Sequence, residues 1–276
     1  MTVGIVGLGL IGGSLAKAYK KSQHTVYSYD IDKKMLDFAI LSGAVDSVLS
    51  FDNINECQLI LLCVYPDAAV EYLSAAAPFI SDDAFVIDCC GTKEKVCNAC
   101  FSIAQEHSFT FVGGHPMAGT QYSGFKYSKA SLFKGAYMVL VPPAFDDMAF
   151  LEKVKELLSP AQFGHFSVIS AKEHDRIIAF TSQLAHVVSN AYVKSPSAKT
   201  HKGFSAGSYK DLTRVAWLNE VMWSELCMEN RDNMIFELSN IISELEKYRS
   251  ALIDKNTEEL KSLFKEGKLI KQEIDG

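Results

Sequence analysis

The sequence predicts an α/β fold in two parts: a Rossmann-type, doubly wound sheet over residues 1–169, then an all-helical C-terminal domain over residues 170–276. Three observations predict it. Short apolar runs alternate with amphipathic stretches up to Ile169, as in a mostly parallel sheet covered by helices on both faces. A glycine-rich G-x-G-x-x-G segment follows the first of those runs. From Ala171 onward strand signals vanish and helical periodicity takes over, with Pro196 the single proline.

The first predicted strand, Val3–Gly7, leads into Gly7-Leu8-Gly9-Leu10-Ile11-Gly12. Gly7 permits the tight turn, Gly9 lets backbone N–H groups approach a pyrophosphate, and Gly12 lets the next helix pack close to the sheet. Leu10 and Ile11 open that helix, whose unpaired N–H groups and dipole favour phosphate. The second strand, Thr25–Asp30, ends in a carboxylate twenty-three positions after Gly7. Asp30 there would accept from the adenine ribose hydroxyls and repel a 2′-phosphate, which favours NAD over NADP. An amphipathic stretch, Asp32–Leu41, follows.

Further strands are expected at Leu59–Tyr65, Ala84–Asp88, Phe109–Gly113, Tyr137–Val141 and His165–Ile169, with a helix at Phe150–Leu158. Several are continuous Val/Ile/Leu/Phe runs, the pattern of strands buried on both faces. In the helical half, Met234, Leu238, Ile241, Ile242 and Leu245 share one helix face, either as core packing or as a subunit contact. Asn256 followed by Glu259 reads as the cap of a last helix.

The bulk numbers exclude some partners. A net charge of −6 lacks the basic footprint of a nucleic-acid binder. The apolar runs have strand length and fall short of a membrane span, and the first strand begins too early for a signal peptide, so a cytoplasmic protein is expected. Of seven cysteines, Cys97-x-x-Cys100 could suggest a metal, but no second pair of suitable spacing exists. Reduced thiols and no metal are expected.

Removing a hydride from an alcohol requires a group that takes the hydroxyl proton, and histidine titrates in the right range. His24, His107 and His165 read as surface residues, and His201 lies in a polar loop. His115 is different. It follows Phe109–Gly113 directly, within Gly113-Gly114-His115-Pro116-Met117-Ala118-Gly119-Thr120, and so is expected in a loop beyond the carboxyl ends of the strands, where open α/β sheets bind ligands.

That segment, with Ser123-Gly124 and Leu132-Phe133, resembles the prephenate and arogenate dehydrogenases. Further matches run along the chain in order: His174-Asp175, Ser182-Gln183-Leu184-Ala185-His186, Asp211-Leu212-Thr213-Arg214-Val215-Ala216, Met222-Trp223 and Glu229-Asn230. The resemblance implies NAD-dependent oxidative decarboxylation of prephenate to 4-hydroxyphenylpyruvate, in tyrosine biosynthesis, with His115 as the base. It implies Arg214 as a carboxylate clamp, His186 as a second polar contact and Thr120 and Gln121 as residues shaping the substrate site. Trp223 resembles a tryptophan that reaches the site from the partner of a homodimer. Where relatives carry a serine that bonds the catalytic histidine, this chain has Gly91, and Thr92 or a water is the expected substitute. With the dinucleotide fold expected to begin at once and the helical half to fill the rest, no fused mutase or regulatory domain is expected, and any inhibition by tyrosine is expected to be competitive.

Three other readings stay open. One is arogenate dehydrogenase. Another is a hydroxyacid or imine oxidoreductase with Lys172 or Lys210 as catalytic lysine. The third is a nicotinamide-sensing regulator without turnover.

Overall fold

The computed structural model describes residues 1–120 and 122–275. Eight strands, β1 (Thr2–Val6), β2 (Thr25–Tyr29), β3 (Ser47–Val48), β4 (Leu59–Leu62), β5 (Phe85–Asp88), β6 (Thr110–Met117), β7 (Tyr137–Val141) and β8 (His165–Val168), form one sheet. Their order is β3-β2-β1-β4-β5-β6-β7-β8. The chain thus starts mid-sheet, winds outward to β3, then returns past β1 to build the other half. All pairs from β3 to β6 are parallel, and β7 runs antiparallel to β6.

The apolar runs are continuous because both faces are covered. Leu59 and Leu61 of β4 pack into one core with Val3, Ile5, Leu15 and Tyr19, whereas Ile60 and Leu62 pack into the opposite one with Leu73, Val96 and Cys100. The helices α1 (Leu10–Lys21), α2 (Lys33–Leu41), α3 (Pro66–Ala76), α4 (Glu94–His107) and α5 (Met148–Leu158) supply these layers. Asp32 caps α2 by accepting from the Lys34 and Met35 N–H groups, and the Tyr19 hydroxyl ties α1 to the end of α5 by donating to Leu157 O at 2.7 Å.

One expected boundary moves. The strand expected at Phe109–Gly113 continues as β6 to Met117, because its parallel pairing with β5 ends at Val112 and antiparallel pairing with β7 takes over from Gly113 to Met117. His115 therefore stands inside a strand, opposite Val139, and not in the loop expected. It still lies past the last parallel pair, Ile87 with Val112, on the carboxyl rim that also carries Gly7.

Beyond β8 the described chain is helical: α6 (Ala171–Ile178), α7 (Ala185–Tyr192), α8 (Gly207–Thr213), α9 (Glu220–Glu229), α10 (Arg231–Ile253) and α11 (Thr257–Asp275). A π-helical segment, Ala179–Leu184, joins α6 to α7, so Ala171–Tyr192 is one rod. Such bulges occur often at functional sites. Asn256 caps α11 by accepting from Glu259 N at 3.1 Å, as its sequence predicts. The stripe on α10 divides. Met234 is buried at 4% exposure, while Ile242 and Leu245 remain 57% and 59% exposed, so core packing accounts for only its first turn.

Candidate active site

The glycine loop has the geometry of a phosphate cradle. Gly7 adopts φ +91°, a conformation that disfavours side chains, and a Cβ on Gly12 would meet the Gly7 carbonyl oxygen at 1.9 Å. Gly9 is exposed, with open space where its side chain would be. No side chain caps α1, so the N–H groups of its first turn, which begins with Leu10 and Ile11, face the rim. Asp30, just past β2, closes the arrangement: its Oδ2 accepts from Leu8 N at 2.6 Å and its Oδ1 from Asp32 N at 2.8 Å. These features fit a dinucleotide, with the pyrophosphate on the loop and a ribose beside the carboxylate.

Across the rim, a buried ion pair sets the position of His115. Asp88 ends β5 and pairs with the Lys93 ammonium, and both side chains are fully buried. Asp88 Oδ1 accepts from Gly114 N at 3.0 Å, and Lys93 donates to Gly114 O at 2.6 Å. The residue before His115 is thus held at both backbone polar groups. A side chain on Gly114 would fit nowhere, since its Cβ would lie 2.4 Å from Asp88 O.

The His115 ring is half-buried. Burial first, with the nearby Lys93 ammonium adding to it, holds its pKa well below the ordinary 6.5, so the ring is neutral near pH 7. Its Nδ1 lies 2.9 Å from His174 Nε2, and His174 Nδ1 lies 2.7 Å from Asp175 Oδ1. Asp175 also caps α4, accepting from Lys93 N at 2.7 Å and Glu94 N at 2.8 Å. Asn230 completes the junction by donating to Asp175 O and to Gln183 Oε1. One buried cluster therefore docks the helical half onto the loop that leads from β5 into α4.

A second group lies twelve residues farther along the same rod, ~18 Å at helical rise. The His186 Nδ1 bonds the Ser182 carbonyl at 2.8 Å, and Trp223 of the same chain packs on the ring with centroids 4.1 Å apart. Burial lowers the His186 pKa; the Ser182 bond opposes that, and the Arg214 charge adds to it. Arg214 itself is exposed at the end of α8, with no ion pair among the described residues. The structure thus brings together His186, Trp223 and Arg214.

Other expected residues are not gathered there. Thr120 is exposed and spends its hydroxyl on the Tyr122 backbone, donating to O at 3.1 Å and accepting from N at 3.2 Å. Gln121 lies outside the described residues. Thr92 is not the substitute for the missing serine: it is 1% exposed, and its hydroxyl donates to Glu229 Oε2 at 2.5 Å. Leu226 fills the space beside Gly91, 3.3 Å from where a Cβ would stand. The partner of His115 is instead His174, which sequence reasoning gave no role; its one signal was the His174-Asp175 doublet. Lys172 and Lys210 are both exposed. Cys97 and Cys100 lie buried in α4, where burial pushes the Cys100 thiol up to about 12 and raises that of Cys97 as well.

A dinucleotide cradle and an oriented histidine on one rim define an α/β protein of the nicotinamide-dependent oxidoreductase type, with a helical half docked at the start of α4. Comparison with known proteins narrows this. A family profile described as prephenate dehydrogenase, nucleotide-binding domain, matches residues 15–164, and one described as prephenate dehydrogenase, dimerization domain, matches residues 170–266. The chain belongs to the prephenate dehydrogenase family. It is 29% identical to the prephenate dehydrogenase of Bacillus subtilis, over 97% of this chain and 74% of that protein. It is 30% identical to the cyclohexadienyl dehydrogenase of Zymomonas mobilis, over 96% of this chain and 92% of that protein. The crystal structure of Aquifex aeolicus prephenate dehydrogenase, in complex with hydroxyphenyl propionate and NAD+, superposes with a TM-score of 0.81 at 28% identity, covering 100% of this chain and 98% of that one.

Proposed function

We infer that this chain is an NAD-dependent prephenate dehydrogenase that acts as a homodimer, with residues 1–169 binding the dinucleotide and residues 170–276 binding substrate and partner. The observation that carries this reading is His115, a neutral, half-buried imidazole on the carboxyl rim that also bears the glycine loop and Asp30. Asp30 favours NAD, since a 2′-phosphate would meet its carboxylate.

NAD, when bound, supplies the hydride acceptor. His115 accepts the proton of the ring hydroxyl as the carbinol C–H bond gives up its hydride. The C–CO2 bond then breaks, CO2 leaves, and the electron pair completes an aromatic ring whose phenolate oxygen takes the proton back from His115. Aromatisation drives the reaction, so the protein's part is to position the ring and to take and return one proton. Arg214, exposed and without an ion pair among the described residues, is given the role of forking onto a substrate carboxylate. His186, stacked on Trp223, offers the second polar contact. The exposed apolar stripe on α10 and the dimerization-domain match support a homodimer.

The test is purified protein with prephenate and NAD, followed by NADH absorbance, with NADP and arogenate in parallel arms. Arogenate is the second reading, because the sequence motifs also resemble those of the arogenate dehydrogenases. Turnover of prephenate with NAD supports the proposal; turnover of arogenate alone replaces it.

A further inference from the structure

The reading of His115 as the base leaves one question that its residue type does not answer: which ring nitrogen is free. In neutral imidazole one nitrogen carries the proton and the other accepts. The relatives' serine, which would orient this ring, is Gly91 here, and Leu226 and Glu229 occupy the space and the hydroxyl that could have replaced it.

Donor logic along the buried contacts fixes the answer. Asp175 receives two backbone N–H groups, from Lys93 and Glu94, and the His174 Nδ1 sits 2.7 Å from the same carboxylate. An ionised carboxylate only accepts, so His174 Nδ1 carries a proton. With that single proton on His174, its Nε2 is an acceptor, and it faces His115 Nδ1 at 2.9 Å. His115 Nδ1 must donate, which leaves its Nε2 with the lone pair. His174 and Asp175 are both buried, at 2% and 3% exposure, so water does not compete for these bonds.

The geometry assigns His174, held by Asp175, as the positioning residue that fixes the His115 tautomer and leaves Nε2 free for the substrate hydroxyl. The assignment rests on the reading of His115 as base and extends it to the residue behind it. As His115 takes the hydroxyl proton at Nε2, the charge on its ring is met through Nδ1–H by His174, and through His174 Nδ1–H by the Asp175 carboxylate. This places the charge of the carboxylate at the base without placing the carboxylate beside the substrate. A base in the wrong tautomer is a poor base, as in serine proteases whose orienting aspartate is made neutral.

The experiment reads the tautomer directly. Wild-type protein with 15N-labelled histidine, free of substrate, is measured by long-range 15N–1H NMR, with the His115 signals assigned by their loss in His115→Asn. The neutral Nδ1–H form is expected; the Nε2–H form overturns the assignment. His174→Ala should lower kcat at least tenfold with KM for prephenate within about twofold. His174→Gln, whose amide oxygen accepts the same bond, should recover most of that loss. A His174→Ala enzyme with wild-type kcat, or no rescue by glutamine, also overturns it. If that variant does not fold, the wild-type spectrum alone decides. Because the spectrum needs no substrate, failure to oxidise prephenate would refute the substrate reading and leave the tautomer result standing.

Discussion

Lys93 donates to the Gly114 carbonyl across 2.6 Å, so a fully buried ammonium from the start of α4 holds the residue that precedes the proposed base. The same ammonium pairs with Asp88, which accepts from Gly114 N. Structure and function meet in this pair. Replacing Lys93 by methionine would leave the Asp88 charge buried and unpaired, at about 3–5 kcal/mol. Thermal unfolding of Lys93→Met should show a Tm lower by roughly 10 °C. The double variant Lys93→Met with Asp88→Leu should regain part of that stability, since the stranded charge is gone; a Tm within ~2 °C of wild type for the single variant would contradict the ion pair's role.

The depressed pKa of His115 sets a pH dependence of definite sign. Its folded value lies below the ordinary 6.5, through burial first and the Lys93 charge after it. Between the two values the unfolded chain binds a proton that the folded chain does not, so stability falls as pH drops below about 6.5 and is independent of this group above it. Urea midpoints measured from pH ~7 to ~5 should fall more steeply in wild type than in His115→Asn. The acid limb of kcat/KM should likewise lie below pH ~6.5; a limb at or above that value would contradict a buried neutral base.

Arg214 is exposed and forms no ion pair among the described residues, so its removal should leave the fold nearly untouched. Arg214→Gln should change stability by less than ~0.5 kcal/mol while raising KM for prephenate about tenfold or more, as expected for a lost charge-assisted pair. A KM within about twofold of wild type would remove Arg214 from the carboxylate site.

Ile242 and Leu245 project from α10 at 57% and 59% exposure, with Leu252, Ile253 and Phe264 also uncovered. An apolar surface of this kind on a single chain fits burial against a second copy. The double substitution Ile242→Glu and Leu245→Glu should convert the proposed dimer to monomer in sedimentation or light scattering, because two carboxylates would enter an apolar contact. A dimer of unchanged mass would move the interface elsewhere.

Much of this was legible in the sequence, and the misses share a cause. The strands announce themselves because Leu59–Leu62 and its neighbours are buried on both faces, which is a property of local composition. The glycine loop and Asp30 are legible because backbone geometry there demands particular residues. The extension of β6 through His115 and Pro116 is not, since it depends on pairing with β7, some twenty residues away along the chain. A two-residue edge strand, β3, offers too little pattern to see. Nor does anything local mark Lys93 as buried: its partner Asp88 ends another element, and a lysine after Gly91-Thr92 reads as a surface loop. His174 was visible only as half of a doublet, because helical periodicity does not say what a buried polar residue faces.

The most direct test of the central claim compares wild type with His115→Asn, each given prephenate and NAD, with NADH and 4-hydroxyphenylpyruvate both quantified. Wild type should form the two products in equal amounts. The variant should bind NAD with unchanged affinity while kcat falls by about 10²–10⁴-fold. A variant that keeps kcat within about twofold, or a wild type that yields NADH without the aromatic keto acid, would contradict the account.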